Sequence, residues 1–120
     1  MSADEHKAVV RRFFDAINHG TLDVLDQVLA PDFRTQGDNQ GGRDGEKQLW
    51  QQLRTEAHDT RLSVEGMLAQ GDKVVTRWSA RGSYRGQPVQ VTGIHIHQLA
   101  DGKIVEAWAE NSMGNQPPAV

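Results

Sequence analysis

The chain changes its hydrophobic period once, at Leu62, and that change limits what it can fold into. Before Leu62 apolar residues recur at helical spacing; after it they alternate with polar ones, the pattern of half-buried strands. Four such runs follow, over residues 62–70, 73–84, 89–100 and 103–113, separated by Gly71-Asp72, Arg85-Gly86 and Asp101-Gly102. Dipeptides of this kind close tight hairpins, so the second half reads as an antiparallel meander. Helices first and a sheet second is the order of an α+β domain.

In the first half, Ser2 and Glu5 form a capping-box pattern, and Val9, Val10, Phe13, Phe14 and Ile17 follow with helical spacing. The expected first helix covers about residues 3–18 and ends at Asn18-His19-Gly20. Thr21 is placed to cap a short second helix carrying Leu22, Leu25, Val28 and Leu29, which Pro31 stops. Residues 32–36 suit one brief strand and 37–42 an exposed flexible loop. Asp44 then caps an expected helix over about 44–58, with Leu49, Trp50, Leu53 and Ala57 on one face.

A length of 120 residues leaves room for one domain, expected over residues 1–113 with a flexible C-terminal tail at 114–120. The net charge of −3 offers no basic footprint, which argues against nucleic acid and anionic membrane as partners. With no cysteine there is no thiol nucleophile, disulfide framework or thiolate metal site. The N-terminal stretch interleaves acids and bases without a long apolar run, so neither a signal peptide nor a membrane span is expected, and the chain reads as soluble and cytoplasmic. Walker, Rossmann and G-x-S-x-G patterns are missing, which leaves nucleotide-dependent and serine-triad chemistry unsupported.

The turns fix a register. With Asp101-Gly102 as a two-residue turn, His97 faces Glu106, His95 faces Trp108 and Gly93 faces Glu110. With Arg85-Gly86 as another, Trp78 faces Gly93 and Thr76 faces His95. One sheet face then gathers Trp78, Tyr84, His95, His97, Glu106, Trp108 and Glu110, an aromatic lining with placed polar groups as in a ligand pocket. The opposite face takes Ile94, Ile96, Val105, Ala107 and Ala109 with Arg77, Ser79 and Arg81, and suits a dimer surface. A β-bulge in either long strand would reverse the faces beyond it.

Three stretches, FFDAINHGTLDVLDQVLAPDF, GDKVVTRWSARGSYRG and VTGIHIHQLADGKIVEAW, carry a family resemblance, the segment from Asp101 to Trp108 most specifically. Over roughly residues 5–113 the chain resembles the SnoaL-like polyketide cyclase and ester cyclase family of the nuclear-transport-factor-2-like (NTF2-like) superfamily. The resemblance implies three helices on a curved antiparallel sheet forming a cone, a shielded pocket, cofactor-independent acid–base chemistry and frequent dimers. Members close polyketide rings by aldol condensation; relatives isomerise, hydrolyse or only bind ligands. Family members carry an aspartate four residues after the tryptophan matching Trp108, where this chain has Ser112, and histidines where it has Gln36 and Tyr84.

Proton transfer therefore falls to other groups, and the register nominates His95, His97 and Glu110, with Glu110 or His97 as base and Tyr84 or the other histidine as oxyanion donor. Expected substrate contacts are Trp78, Tyr84, Trp108, Phe14, Phe33, Trp50 and Ser112. The pair His95-x-His97 also suits a metal, which Glu106 could complete, but a helix-then-meander order is not a jelly roll, and no metal or cofactor is expected. The expected enzyme is a homodimer acting on a small hydrophobic carbonyl compound. The alternative is a non-catalytic ligand-binding or assembly module on the same fold.

Overall fold

The computed structural model describes residues 1–35 and 41–112; the expected C-terminal tail and most of the expected loop at 37–42 lie outside them. Helix α1 spans Ala3–His19 and opens on the capping box read from the sequence. Glu5 N–H donates to Ser2 Oγ at 3.1 Å, and Ser2 N–H donates to Glu5 Oε1 at 2.9 Å. Gly20 ends the helix at φ 71°, in the left-handed region that glycine enters without steric cost. The helix turns Val10, Phe13, Phe14 and Ile17 inward.

The expected second helix is shorter than read: a 3-10 turn at Leu22–Val24 runs into one α-turn, α2, at Leu25–Val28. Thr21 makes no side-chain cap. Strand β1, Leu29–Thr35, begins earlier than expected and runs through Pro31. Pro31 is tolerated because β1 is an edge strand, where a missing N–H need not break a ladder. Helix α3 spans Gly42–Glu56 with Gly41 at its N-cap, so Asp44 sits inside the first turn rather than capping it.

Strands β2 (Arg61–Gln70), β3 (Lys73–Tyr84), β4 (Gln87–Ala100) and β5 (Lys103–Asn111) form the expected antiparallel meander. The sheet as a whole is mixed, in the order β1-β5-β4-β3-β2, because β1 adds to β5 in parallel. A parallel pair needs a long crossover, which everything between β1 and β5 supplies. Both residues of Arg85-Gly86 and of Asp101-Gly102 have positive φ, between 52° and 81°, the geometry whose twist matches the strands it joins. The core lies between α1 and the concave face, where Val10, Phe13, Phe14, Leu25, Leu29, Val74 and Ile104 are shut off from solvent. Truncating one of these phenylalanines would cost about 3–5 kcal/mol.

Candidate functional site

Helix α3 does not close against the sheet along its whole length, and a cavity of about 510 Å³ lies between them. Leu53 of α3 and Leu62, Ala80, Val89 and Val91 of the sheet make its walls apolar. Four side chains give it a chemically marked interior: Glu46 and Trp50 from α3, Trp78 from β3 and His95 from β4. Glu46 is buried, and its Oε1 accepts the Trp50 indole N–H at 2.8 Å. Arg54 and His58, both exposed, and the half-buried Tyr84 line one open side of it.

Trp78 and His95 depend on a glycine. Gly93 is the cross-strand neighbour of Trp78, and any Cβ on Gly93 would collide with the indole ring. The ring occupies that space and turns its Nε1–H to Nδ1 of His95, 2.7 Å away. Since indole only donates, Nδ1 is an acceptor and a neutral His95 carries its proton on Nε2. Burial pushes the His95 pKa down to about 4, so the ring is neutral at physiological pH.

His97 lies deeper. It is fully buried, stacked on His95 with ring centroids 5.1 Å apart and edge-on to Phe13 at 5.1 Å and Phe14 at 6.0 Å. Burial and the adjacent His95 hold its pKa well below the usual histidine range. Neither ring nitrogen meets a hydrogen-bond partner among the described residues, nor does the buried Thr76 hydroxyl. His97 is thus a core side chain beneath the cavity wall.

The expected β4–β5 register holds only at the turn. Ala100 faces Lys103 and Leu99 faces Ile104, but a bulge at Val105 then sets Gln98 opposite Glu106, His97 opposite Ala107 and His95 opposite Ala109. One extra residue reverses every later side chain. Ala107, Ala109 and Asn111 consequently line the cavity. Trp108 pairs with Ile96, and Glu110 with Ile94, on the outer face. Ser112 accepts a hydrogen bond from Thr92 N–H at 3.2 Å, also away from the cavity lining. Glu106 binds Arg34 of β1 at 3.2 Å rather than His97.

Of the site residues read from the sequence, His95, Trp78, Tyr84 and Trp50 come together on the cavity. His97, Phe14 and Phe33 are buried in the core, and Glu110, Trp108 and Ser112 are directed elsewhere. Sequence reasoning missed Glu46, although the signal was present: it stands three, four and seven residues before Leu49, Trp50 and Leu53, on the same helical stripe. Asn111 was missed because no pattern announces a bulge. Among the described residues, no three of His, Asp and Glu gather as a metal site would require.

A sequence model described as the SnoaL-like domain matches residues 10–107. The chain belongs to this SnoaL-like family. No curated protein is recognisably similar to it in sequence. Among solved structures, wild-type IdmH of Streptomyces antibioticus, named as a candidate polyketide cyclase, is 25% identical with TM-score 0.80, over 91% of this chain and 93% of that one. A candidate polyketide cyclase of Bacillus cereus is 25% identical with TM-score 0.83, over 91% and 75%. AclR of Streptomyces galilaeus, named as a candidate hydroxylase, shares the fold at 23% identity and TM-score 0.83, over 97% and 100%. The three helices packed on a curved mixed sheet are the NTF2-like α+β cone of these proteins. Among the described residues no helix is long and apolar enough to cross a membrane.

Proposed function

We propose that this SnoaL-like chain is a cofactor-independent acid–base enzyme of the cyclase type, acting on a small hydrophobic carbonyl compound in the cavity between α3 and the sheet. The observation that carries this reading is the Trp78–His95 hydrogen bond in the cavity wall, with the buried carboxyl group of Glu46 in the same cavity. A neutral imidazole locked as an Nε2–H donor suits the stabilisation of a developing oxyanion. Glu46 takes the proton from the carbon beside the carbonyl, and His95 Nε2–H donates to the enolate oxygen. For ring closure the enolate carbon attacks a second carbonyl of the same molecule, forming one C–C bond. The resulting alkoxide recovers the proton from Glu46, so the enzyme ends unchanged. Glu110 and His97 drop out as bases, since one lies on the outer face and the other is sealed in the core.

The names of IdmH and the Bacillus cereus protein support cyclisation over other proton transfers. The test is deuterium uptake beside the carbonyl of aryl ketones such as 1-tetralone in D2O, followed by NMR. Exchange faster than buffer and lost in Glu46→Gln supports the enzyme. Ligand binding with exchange no faster than buffer supports the binding module, which is favoured by the neutral β5 wall of Ala107, Ala109 and Asn111.

The reading includes a homodimer through the outer sheet face. The bulge places Trp108 at the end of a cross-strand row Leu68, Val75, Ile96, Trp108, and Leu68, Val75 and nearby Ile94 are exposed. A contiguous apolar row on an open sheet face supports burial against a second copy.

A further inference from the structure

We propose that the open end of the cavity recognises a carboxylate carried by the substrate, through Arg54 and His58, so that the ligand is an amphipathic acid held acid-outward. This rests on the reading of the cavity as the substrate site and adds the chemistry of its mouth. Both residues line the cavity and both are exposed. The carboxylates close to them in the chain are already engaged. Glu56 accepts from Arg85 Nη2 at 3.2 Å and from the Tyr84 hydroxyl, and Asp59 accepts from the Ser83 hydroxyl and from its backbone N–H at 2.8 and 3.0 Å. Among the described residues Arg54 makes one long hydrogen bond, from Nη1 to the Asn18 carbonyl at 3.4 Å, and meets no carboxylate. The His58 ring has no hydrogen-bond partner among them, although the neighbouring Asp59 carboxylate acts on it through space.

The Arg54 guanidinium is also held in position. It lies over Gly20, where any Cβ would collide with it, so the glycine that ends α1 makes room for the cation. A guanidinium has five N–H donors in a rigid fork that matches a carboxylate, so most of them remain for a ligand. Arg54 and His58 stand on an exposed part of the lining, as Leu49 and Ala109 do elsewhere, while the Glu46 carboxyl is buried. An acid entering the other way round would bring its carboxylate to Glu46. Charge thus favours the orientation with the carbonyl inward and the acid beside Arg54 and His58.

The test uses the full chain and two ligands, 2-naphthylacetate and its uncharged methyl ester, titrated against the fluorescence of the cavity tryptophans. The acid is expected to bind about tenfold more tightly than the ester at low salt. Arg54→Gln with His58→Gln should abolish that preference, so that acid and ester bind alike, while Arg54→Lys keeps part of it. Equal binding of acid and ester, or a preference that survives the double substitution, overturns the proposal. A lowered melting temperature in Arg54→Gln with the preference intact reduces Arg54 to a cation at the end of α1 and also overturns it. His58→Gln alone supplies the reading if the arginine variants fail to fold. In the wild-type chain, equal binding of acid and ester with ketone exchange intact removes this rim site alone; an acid preference without exchange removes the catalytic reading alone.

Discussion

Trp78 and His95, on adjacent strands, are joined by one hydrogen bond of 2.7 Å that sets the tautomer of the histidine. Trp78→Phe keeps most of the ring and removes the N–H. The expected result is a loss of about 1–2 kcal/mol in stability. In 15N-detected NMR the His95 ring should change from a single neutral tautomer to a mixture of both.

Gly93 gives the Trp78 indole its place. Gly93→Ala puts a methyl group into the space of the ring, and overpacking of this kind costs about 1–3 kcal/mol. A shifted tryptophan emission spectrum together with a lower urea midpoint is expected. A variant with unchanged stability and emission would show that the indole has another resting place.

The buried histidines predict acid sensitivity. In the fold His95 binds a proton only near pH 4, while in the unfolded chain it binds one near 6.5. Between those values the unfolded state holds more protons, so stability falls as pH is lowered through the window and rises as pH climbs back. The shift corresponds to roughly 3 kcal/mol from His95, and His97 adds in the same direction. Denaturant melts from pH 8 to pH 4 measure this. His97→Leu should be near neutral at pH 7.5 and flatten the acid limb.

Glu46→Gln keeps an amide oxygen to accept the Trp50 N–H and removes the base. On a ketone that the wild type processes, the expected loss of kcat is about 10²–10⁴ with little change in melting temperature. Glu110→Gln should leave the rate intact, because its strand position faces away from the cavity.

Light scattering should give a particle of twice 13.3 kDa. Ile94→Asp or Trp108→Arg on the outer face should return it to the monomer mass. A monomeric wild type would remove the dimer from the reading.

The helices, the hairpins and the fold were legible because each rests on local rules: the Ser2–Glu5 box, the left-handed turn residues and the change of period at Leu62. The face shared by Trp78, Tyr84 and His95 was legible too, since its register follows from one tight turn. What the pattern could not supply was the extra residue at Val105, which no turn signal marks and which moved Trp108 and Glu110 out of the site. Nor could it supply depth. His95 and His97 stand on the same face and both pack against Phe13 and Phe14, yet one borders the cavity and the other is sealed beneath it, a difference of tertiary packing that no periodicity records.

Strand β1 forms its ladder with β5, roughly seventy residues further along the chain, so during synthesis it finds this partner only once β5 has been made. Contacts of such sequence separation form late and slowly. Until then β1 has no ladder partner, and its edges have no strand to cover them. A nascent chain halted before Lys103 would therefore present these edges to chaperones, and completion of β5 is the event that withdraws the one it pairs with.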